Sequence, residues 1–182
     1  VFDLTNNPME IKSYRKINQN CDFFKSYEEA VLEGKLAIEK SVKNWMLSDV
    51  PIICSLSGGL DSSLIASIFS KNSNKKIRTI SVGFTGEDSE YDERNHAKKL
   101  ARFIDSDHSE IIVKPNQILE DMDEIFNYLN EPYAGSLASW YIYKNIKDQK
   151  VIFTGTGADE LFGNYGKWKN YTFSDVIIKN LI

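Results

Sequence analysis

At 182 residues, with 42% hydrophobic and 26% charged side chains, the chain has apolar mass for one domain with a full core. Its 22 basic residues stand against 26 acids, a net charge of −4 that argues against nucleic acid as a general partner. The two cysteines, Cys21 and Cys54, lack metal-ligand spacing, and no apolar run reaches the ~18 residues of a membrane helix, so a reduced cytoplasmic protein is expected.

Residues 1–25 are mixed and polar, with Asn6-Asn7-Pro8 as a turn signal, and read as a linker or leading strand ahead of a domain over 26–182. The opening VFDLTNNPMEIKSY has no signal-peptide pattern, and a chain beginning on Val1 is expected to be part of something longer. Ser26 and Glu29 make a capping box, after which Tyr27, Val31, Ile38, Val42 and Trp45 recur at helical spacing to about residue 47. That stripe reads as core packing. Ser48-Asp49-Val50-Pro51 turns the chain into a short apolar run, 52–56, with the length of a buried strand.

Ser57-Gly58-Gly59 breaks this strand, and Asp61-Ser62-Ser63 followed by Leu64, Ile65, Ile68 and Phe69 starts a helix. A strand that turns through two glycines into a helix start offers bare N–H groups and a positive dipole end to one point, which suits an anion. The Ser57, Ser62 and Ser63 hydroxyls can add donors. No lysine follows Gly59, so this is not the Walker-type loop. Asp61 stands there instead, and a carboxylate beside a phosphate makes sense mainly with a divalent cation between them. The plainer alternative is an ordinary tight turn with a Ser/Asp cap.

Further on, 77–84 (IRTISVGF) reads as a second strand, 86–92 as an acidic loop, 93–104 as a helix, and 110–113 as a third strand. Pro115 opens one helix carrying Ile118, Leu119, Met122, Ile125, Phe126 and Leu129; 136–146 is another helix, and 151–154 (VIFT) a fourth strand. Strands alternating with helices predict an α/β fold, a doubly wound parallel sheet with flanking helices. Ligands bind such sheets beyond the C-terminal strand ends, at the switch in strand order. Gly155-Thr156-Gly157-Ala158-Asp159-Glu160 falls on that edge, as the first glycine loop does. Asp159 with Asp61 would suit one Mg²⁺ bridging substrate phosphates; alone, Asp159-Glu160 would read as a solvated helix start. His96 and His108 read as structural or surface residues, and Tyr165, Trp168, Tyr171 and Phe173 as packing.

SGGLDSS resembles the pyrophosphate-binding loop of the ATP-pyrophosphatase enzymes. Together with SDVP, TISVGF, DERNHAKKLA, DSDHSEIIV, Glu131-Pro132 and GTGADELFGNY, it resembles the synthetase domain of the glutamine-hydrolysing asparagine synthase family, from about Tyr27 to Trp168. The resemblance implies a Rossmann-like, adenine-nucleotide alpha-hydrolase-like fold and a carbon–nitrogen ligase that uses ATP and magnesium. Such an enzyme activates a small-molecule carboxylate as an acyl-adenylate, which ammonia attacks to give an amide, AMP and pyrophosphate. It implies that Ser57, Gly58, Gly59, Asp61 and Ser62 hold the pyrophosphate, that Asp61 and Asp159 are catalytic residues and Mg²⁺ ligands, and that Leu56, Val82 and Gly155 line the adenosine. A glutaminase domain is expected in the parent chain, and a homodimer is possible; no nucleic-acid or membrane partner is expected.

The chain departs from the family pattern in ways that bear on the acceptor. Thr156 stands where the asparagine-forming members carry an acid, and EPYAGSLASWYIY holds no arginine. Thr156, Ser136 and Glu160, with Ser139 and Trp140, are therefore acceptor candidates, and a sugar uronate or another non-aspartate carboxylate is an alternative to aspartate. Lys167 and Lys169 lie too close to GADE to be the family's catalytic lysine, so residues 1–182 alone are expected to make little amide. Other chemistries of the same loop, such as tRNA thiolation or GMP or NAD synthesis, and a non-catalytic nucleotide-binding module are the competing readings. Thiolation would call for a basic surface or paired cysteines.

Overall fold

A computed structural model of the chain describes residues 26–85, 93–129, 137–146 and 149–162. The chain divides into two compact units, Val1–Ile38 and Glu39–Ile182. In the first, the described residues begin helix α1 (Tyr27–Trp45). Ser26 Oγ accepts the Glu29 N–H at 3.1 Å, and the Ser26 carbonyl accepts the Ala30 N–H at 3.2 Å. An N-terminal cap therefore forms where Ser26 predicts one. Tyr27 and Val31 are exposed, as is Trp45 at the other end of the helix, whereas Val42 is buried. The periodicity correctly marks an apolar face, but a face is not yet a core; the expected burial of the whole stripe holds at Val42.

The second unit is built on a sheet of four described strands, β1 (Ile52–Ser55), β2 (Arg78–Phe84), β3 (Asp107–Val113) and β4 (Val151–Phe153). Their order is β3-β2-β1-β4, and every neighbouring pair is parallel. Between and after them come α2 (Leu60–Asn72), α3 (Arg94–Phe103), α4 (Pro115–Glu120), α5 (Met122–Leu129), α6 (Leu137–Asn145) and α7 (Ala158–Phe162). Strand alternation sends Ile53, Ile80 and Ile152 to one face, where they pack with Ile142 and Ile146. Val113, Ile125, Trp140 and Tyr141 continue that layer. On the opposite face, Phe69 of α2 meets Phe153 of β4 edge to face, with centroids 5.3 Å apart. Helices cover both faces, and this is the doubly wound parallel sheet that the alternation predicts. Burying each large side chain in these layers contributes about 1.5–3 kcal/mol.

Two elements differ from expectation. The strand expected at 110–113 begins at Asp107 and pairs with β2 from Arg78↔Asp107 to Phe84↔Val113. Its polar first half finds partners inside the fold: His108 Nδ1 lies 2.9 Å from Thr79 Oγ1 and Nε2 3.3 Å from Ser81 Oγ, while Lys98 of α3 pairs with Glu110 Oε2 at 2.8 Å, leaving Glu110 Oε1 buried without a hydrogen bond. The single helix expected after Pro115 is two, α4 and α5, parted at Asp121. The Asp121 carboxylate accepts the Tyr141 O–H and a Lys144 ammonium N–H, both at 3.0 Å, so contacts from α6 hold the break. No helix among the described residues is long and apolar enough to cross a membrane.

Strand order reverses beside β1: β2 lies on one side of it and β4 on the other. The loops leaving β1 and β4 thus share the edge where such sheets bind ligands.

Candidate active site

The β1 loop begins where Leu56 N–H donates to the Ile80 carbonyl at 2.8 Å, the last rung beside β2. Gly58 then adopts φ +99°, a left-handed conformation. A Cβ on it would also run into the Glu93 carbonyl oxygen, so glycine is required twice over. Gly59 is the N-cap of α2 and supplies no side-chain acceptor to its first turn. The turn therefore keeps donors and its positive dipole end toward the sheet edge.

Inside the loop the serines hold one another. Ser62 Oγ accepts the Ser57 N–H at 3.2 Å, donates to the Gly59 carbonyl at 3.3 Å, and lies 2.9 Å from Ser57 Oγ. Ser57 Oγ also accepts the Gly59 N–H at 3.2 Å. Ser62 is 8% exposed, and Cys54 just upstream is buried, its thiol pushed up to about 12 by desolvation. A thiol so protonated is chemically quiet.

The β4 loop arrives from the other side. A Cβ on Gly155 would stand 2.8 Å from Ser62 N and 3.0 Å from both the Asp61 carbonyl carbon and Asp61 Cβ. Only glycine lets the two loops touch here. Thr154 Oγ1 donates to Thr156 Oγ1 at 3.1 Å, and Gly157, at φ +98°, turns the chain into α7, whose first turn carries Asp159 and Glu160.

A cavity of about 350 Å³ opens between these loops, floored by Ser55 and Ile152 and walled by Ser139, Ile142 and Tyr143 of α6. It gathers Ser57, Asp61, Ser62, Gly155, Thr156, Asp159 and Glu160 from the sequence-predicted set, with Gly58 and Gly59 in the adjoining loop. Leu56 is 0% exposed, its N–H held by the Ile80 carbonyl, and it is not part of the cavity wall. Val82 packs against the apolar layers and is not part of the cavity wall. Trp140, on α6, is buried against the apolar layer, with Lys144 Nζ 4.4 Å from its ring centre, and does not line the cavity. Ser136, Glu131-Pro132, Cys21, Lys167, Lys169 and the cluster Tyr165, Trp168, Tyr171 and Phe173 lie outside the described residues, as do segments 1–25 and 86–92.

Ser55, Thr154 and Tyr143 were not singled out from sequence. Thr154 shares strand parity with Ile152, and Tyr143 lies one helical turn from Ser139; those spacings were the available signal.

The described lining carries the carboxylates Asp61, Asp159 and Glu160 and no basic side chain. No group of three or more His, Cys, Asp or Glu with metal-ligand geometry occurs among the described residues. Mg²⁺ does not need one, because it is commonly held by one or two carboxylates plus substrate phosphates and waters. Asp61 and Asp159, walling one cavity beside the first turn of α2, fit that donor set.

The asparagine synthase profile matches residues 33–177. The chain is 32% identical over 145 residues to an asparagine synthetase (glutamine-hydrolyzing) of Bacillus subtilis, covering 78% of this chain and 22% of that protein. It is 30% identical over 172 residues to a putative asparagine synthetase of Methanocaldococcus jannaschii, covering 91% of this chain and 32% of that one. It thus spans between a fifth and a third of the length of these curated relatives. Among solved structures, the NH3-dependent NAD synthetase of Campylobacter jejuni in complex with nitrate matches at a TM-score of 0.47 and 17% identity, over 78% of this chain and 61% of that one.

Proposed function

The chain belongs to the asparagine synthase family, and from that premise we propose that it is the ATP-binding and activating part of an amide-forming ligase. The observation that carries this reading is the seat of Gly155 against Asp61 and Ser62, which brings two strand-end loops and both aspartates to one cavity. In the proposed reaction an acceptor carboxylate oxygen attacks the α-phosphorus of ATP, and pyrophosphate leaves. Ammonia then attacks the acyl carbon of the adenylate, a proton is lost, and amide and AMP are formed.

Negative charge grows on the departing pyrophosphate. The first turn of α2 presents fixed backbone donors to it, with no reorganisation at the moment of reaction. Ser62 acts mainly by fixing Ser57 and Gly59, through the bonds described above. Asp61 and Asp159 would hold Mg²⁺, which when bound supplies neutralisation of the phosphate charge. Of the three residues that the resemblance assigns to the adenosine, Gly155 lines the cavity and would border it, whereas Leu56 and Val82 lie outside its wall. The names of the longer relatives support glutamine hydrolysis as the ammonia source and a glutaminase domain as the partner.

A second reading concerns the acceptor. Beyond its acids, the cavity wall offers the hydroxyls of Ser139, Tyr143, Thr154 and Thr156, and no described basic side chain. Aspartate would bring a second carboxylate that needs a cation, whereas a uronate brings hydroxyls that these groups can bond. An unpaired buried charge costs about 3–5 kcal/mol, enough to exclude the wrong acceptor. Pyrophosphate release by the full-length protein, compared between aspartate and nucleotide-linked uronates, decides this; turnover with aspartate alone ends it.

Calorimetric titration of ATP, with and without Mg²⁺, into this chain and its Asp61→Asn variant tests the main reading. Binding should weaken when either Mg²⁺ or the carboxylate is removed. Equal affinity in all arms would sink the site assignment.

A further inference from the structure

We propose that Glu93 is a specificity residue of the anion-binding loop, making it accept metal-complexed phosphate and turn away the bare anion. The inference rests on the reading of that loop given above. Glu93 is the N-cap of α3 and makes no side-chain capping bond there. A Cβ on Gly58 would come within 3.0 Å of Glu93 Cβ, and one on Gly59 would lie 3.7 Å from Glu93 Oε2. The Glu93 carboxylate therefore stands beside the two residues whose backbone must approach a phosphate.

Its main chain is pinned. The Glu93 carbonyl accepts the His96 N–H at 2.9 Å and the Ala97 N–H at 3.1 Å, so only the side chain can swing aside. The neighbouring Arg94 lays its stem across Gly83, at the end of β2. In sequence, Glu93 closes a stretch that also carries Glu87, Asp88, Glu90 and Asp92.

The loop thus has carboxylates of two kinds around it: Glu93 beside Gly58 and Gly59, and Asp61 and Asp159 in the cavity wall. A bare polyphosphate meets like charge from both, and a divalent cation removes the mismatch. The two kinds differ in what their loss should do. Asp61 and Asp159 are the proposed metal ligands, so neutralising either weakens binding of the metal complex. Glu93 is exposed and outside the cavity wall, so neutralising it relieves repulsion and strengthens binding of the free anion. This opposite sign separates a repelling carboxylate from a coordinating one.

Inorganic pyrophosphate is the probe, titrated by calorimetry into the wild-type chain, Glu93→Gln and Glu93→Asp, with Mg²⁺ and with a chelator, at low and high salt. Glu93→Gln should bind metal-free pyrophosphate about tenfold more tightly at low salt, and the gain should shrink at high salt because the carboxylate is exposed. Glu93→Asp, which keeps the charge, should retain wild-type discrimination. Metal-free affinity in Glu93→Gln no higher than in wild type overturns the inference while leaving the loop assignment standing. Wild-type protein that binds pyrophosphate in neither condition removes the loop assignment, and this inference with it.

Discussion

Gly155→Ala probes the join between the two halves of the site. The added methyl would lie 2.8 Å from Ser62 N and 3.0 Å from the Asp61 carbonyl carbon and Cβ. These atoms belong to, or hang directly from, the first turn of α2, so no side-chain rotation relieves the contact. Carbon contacts settle near 3.5–4.0 Å, so the loops must part by about 0.5–1 Å. Overpacking of this kind costs about 1–3 kcal/mol, which for a chain of this size lowers Tm by about 2–12 °C. The greater effect falls on the site, because Asp61 and Asp159 separate by a similar distance. Displacements of about 1 Å can cost around a hundredfold where geometry matters, and we expect Mg·ATP affinity to fall at least tenfold. Scanning calorimetry and titration calorimetry on wild type and variant measure both quantities. Gly157→Ala is the comparison: it meets nothing within 4 Å, and its φ of +98° leaves only backbone strain of about 1–2 kcal/mol. If Gly155→Ala matches wild type in both Tm and Mg·ATP affinity, the loops are not held by this contact and the site reasoning fails.

Gly34 lies inside α1 with nothing within 4 Å of its added Cβ, so Gly34→Ala should stabilise the protein by about 0.5–1 kcal/mol in urea unfolding; a loss of stability would contradict an open helical position. Desolvation lowers the pKa of His108 from its ordinary 6.5, so the unfolded chain takes up this proton first. The His108 contribution to stability is therefore full above pH 6.5 and is lost as pH falls below it; urea titrations at pH 7.5 and 5.5 should show a drop that His108→Gln reduces, and an unchanged drop would assign it to another group. The buried Cys54 thiol, raised to about 12, should resist alkylation in the folded chain and react once denaturant is added; mass spectrometry of its peptide would show premature labelling if the burial is wrong.

How far the sequence could be read depended on whether a feature was contiguous. The Ile52–Ser55 strand, the glycine break and the α2 start follow one another along the chain, so period and punctuation reveal them together. The first three residues of β3 were hidden because Asp107, His108 and Ser109 look like solvent-facing residues until Thr79 and Ser81 are placed beside them. The break at Asp121 was hidden for a similar reason: its partners, Tyr141 and Lys144, lie 20 and 23 positions away.

The glycines carry the same lesson further. From sequence, Gly58 and Gly155 are explained by the close approach of a ligand. In the fold, each is already required by another part of the protein, Gly58 by Glu93 and Gly155 by Asp61 and Ser62. A glycine at a strand end thus signals a close approach without saying whether backbone or ligand makes it. Here the two uses are linked. The contact at Gly155 brings its loop onto the first turn of α2, the proposed anion site, and the contact at Gly58 holds α3, with its Glu93 carboxylate, against the same loop. On the proposed reading, the same small residues that would leave room for phosphate also position the carboxylates around it.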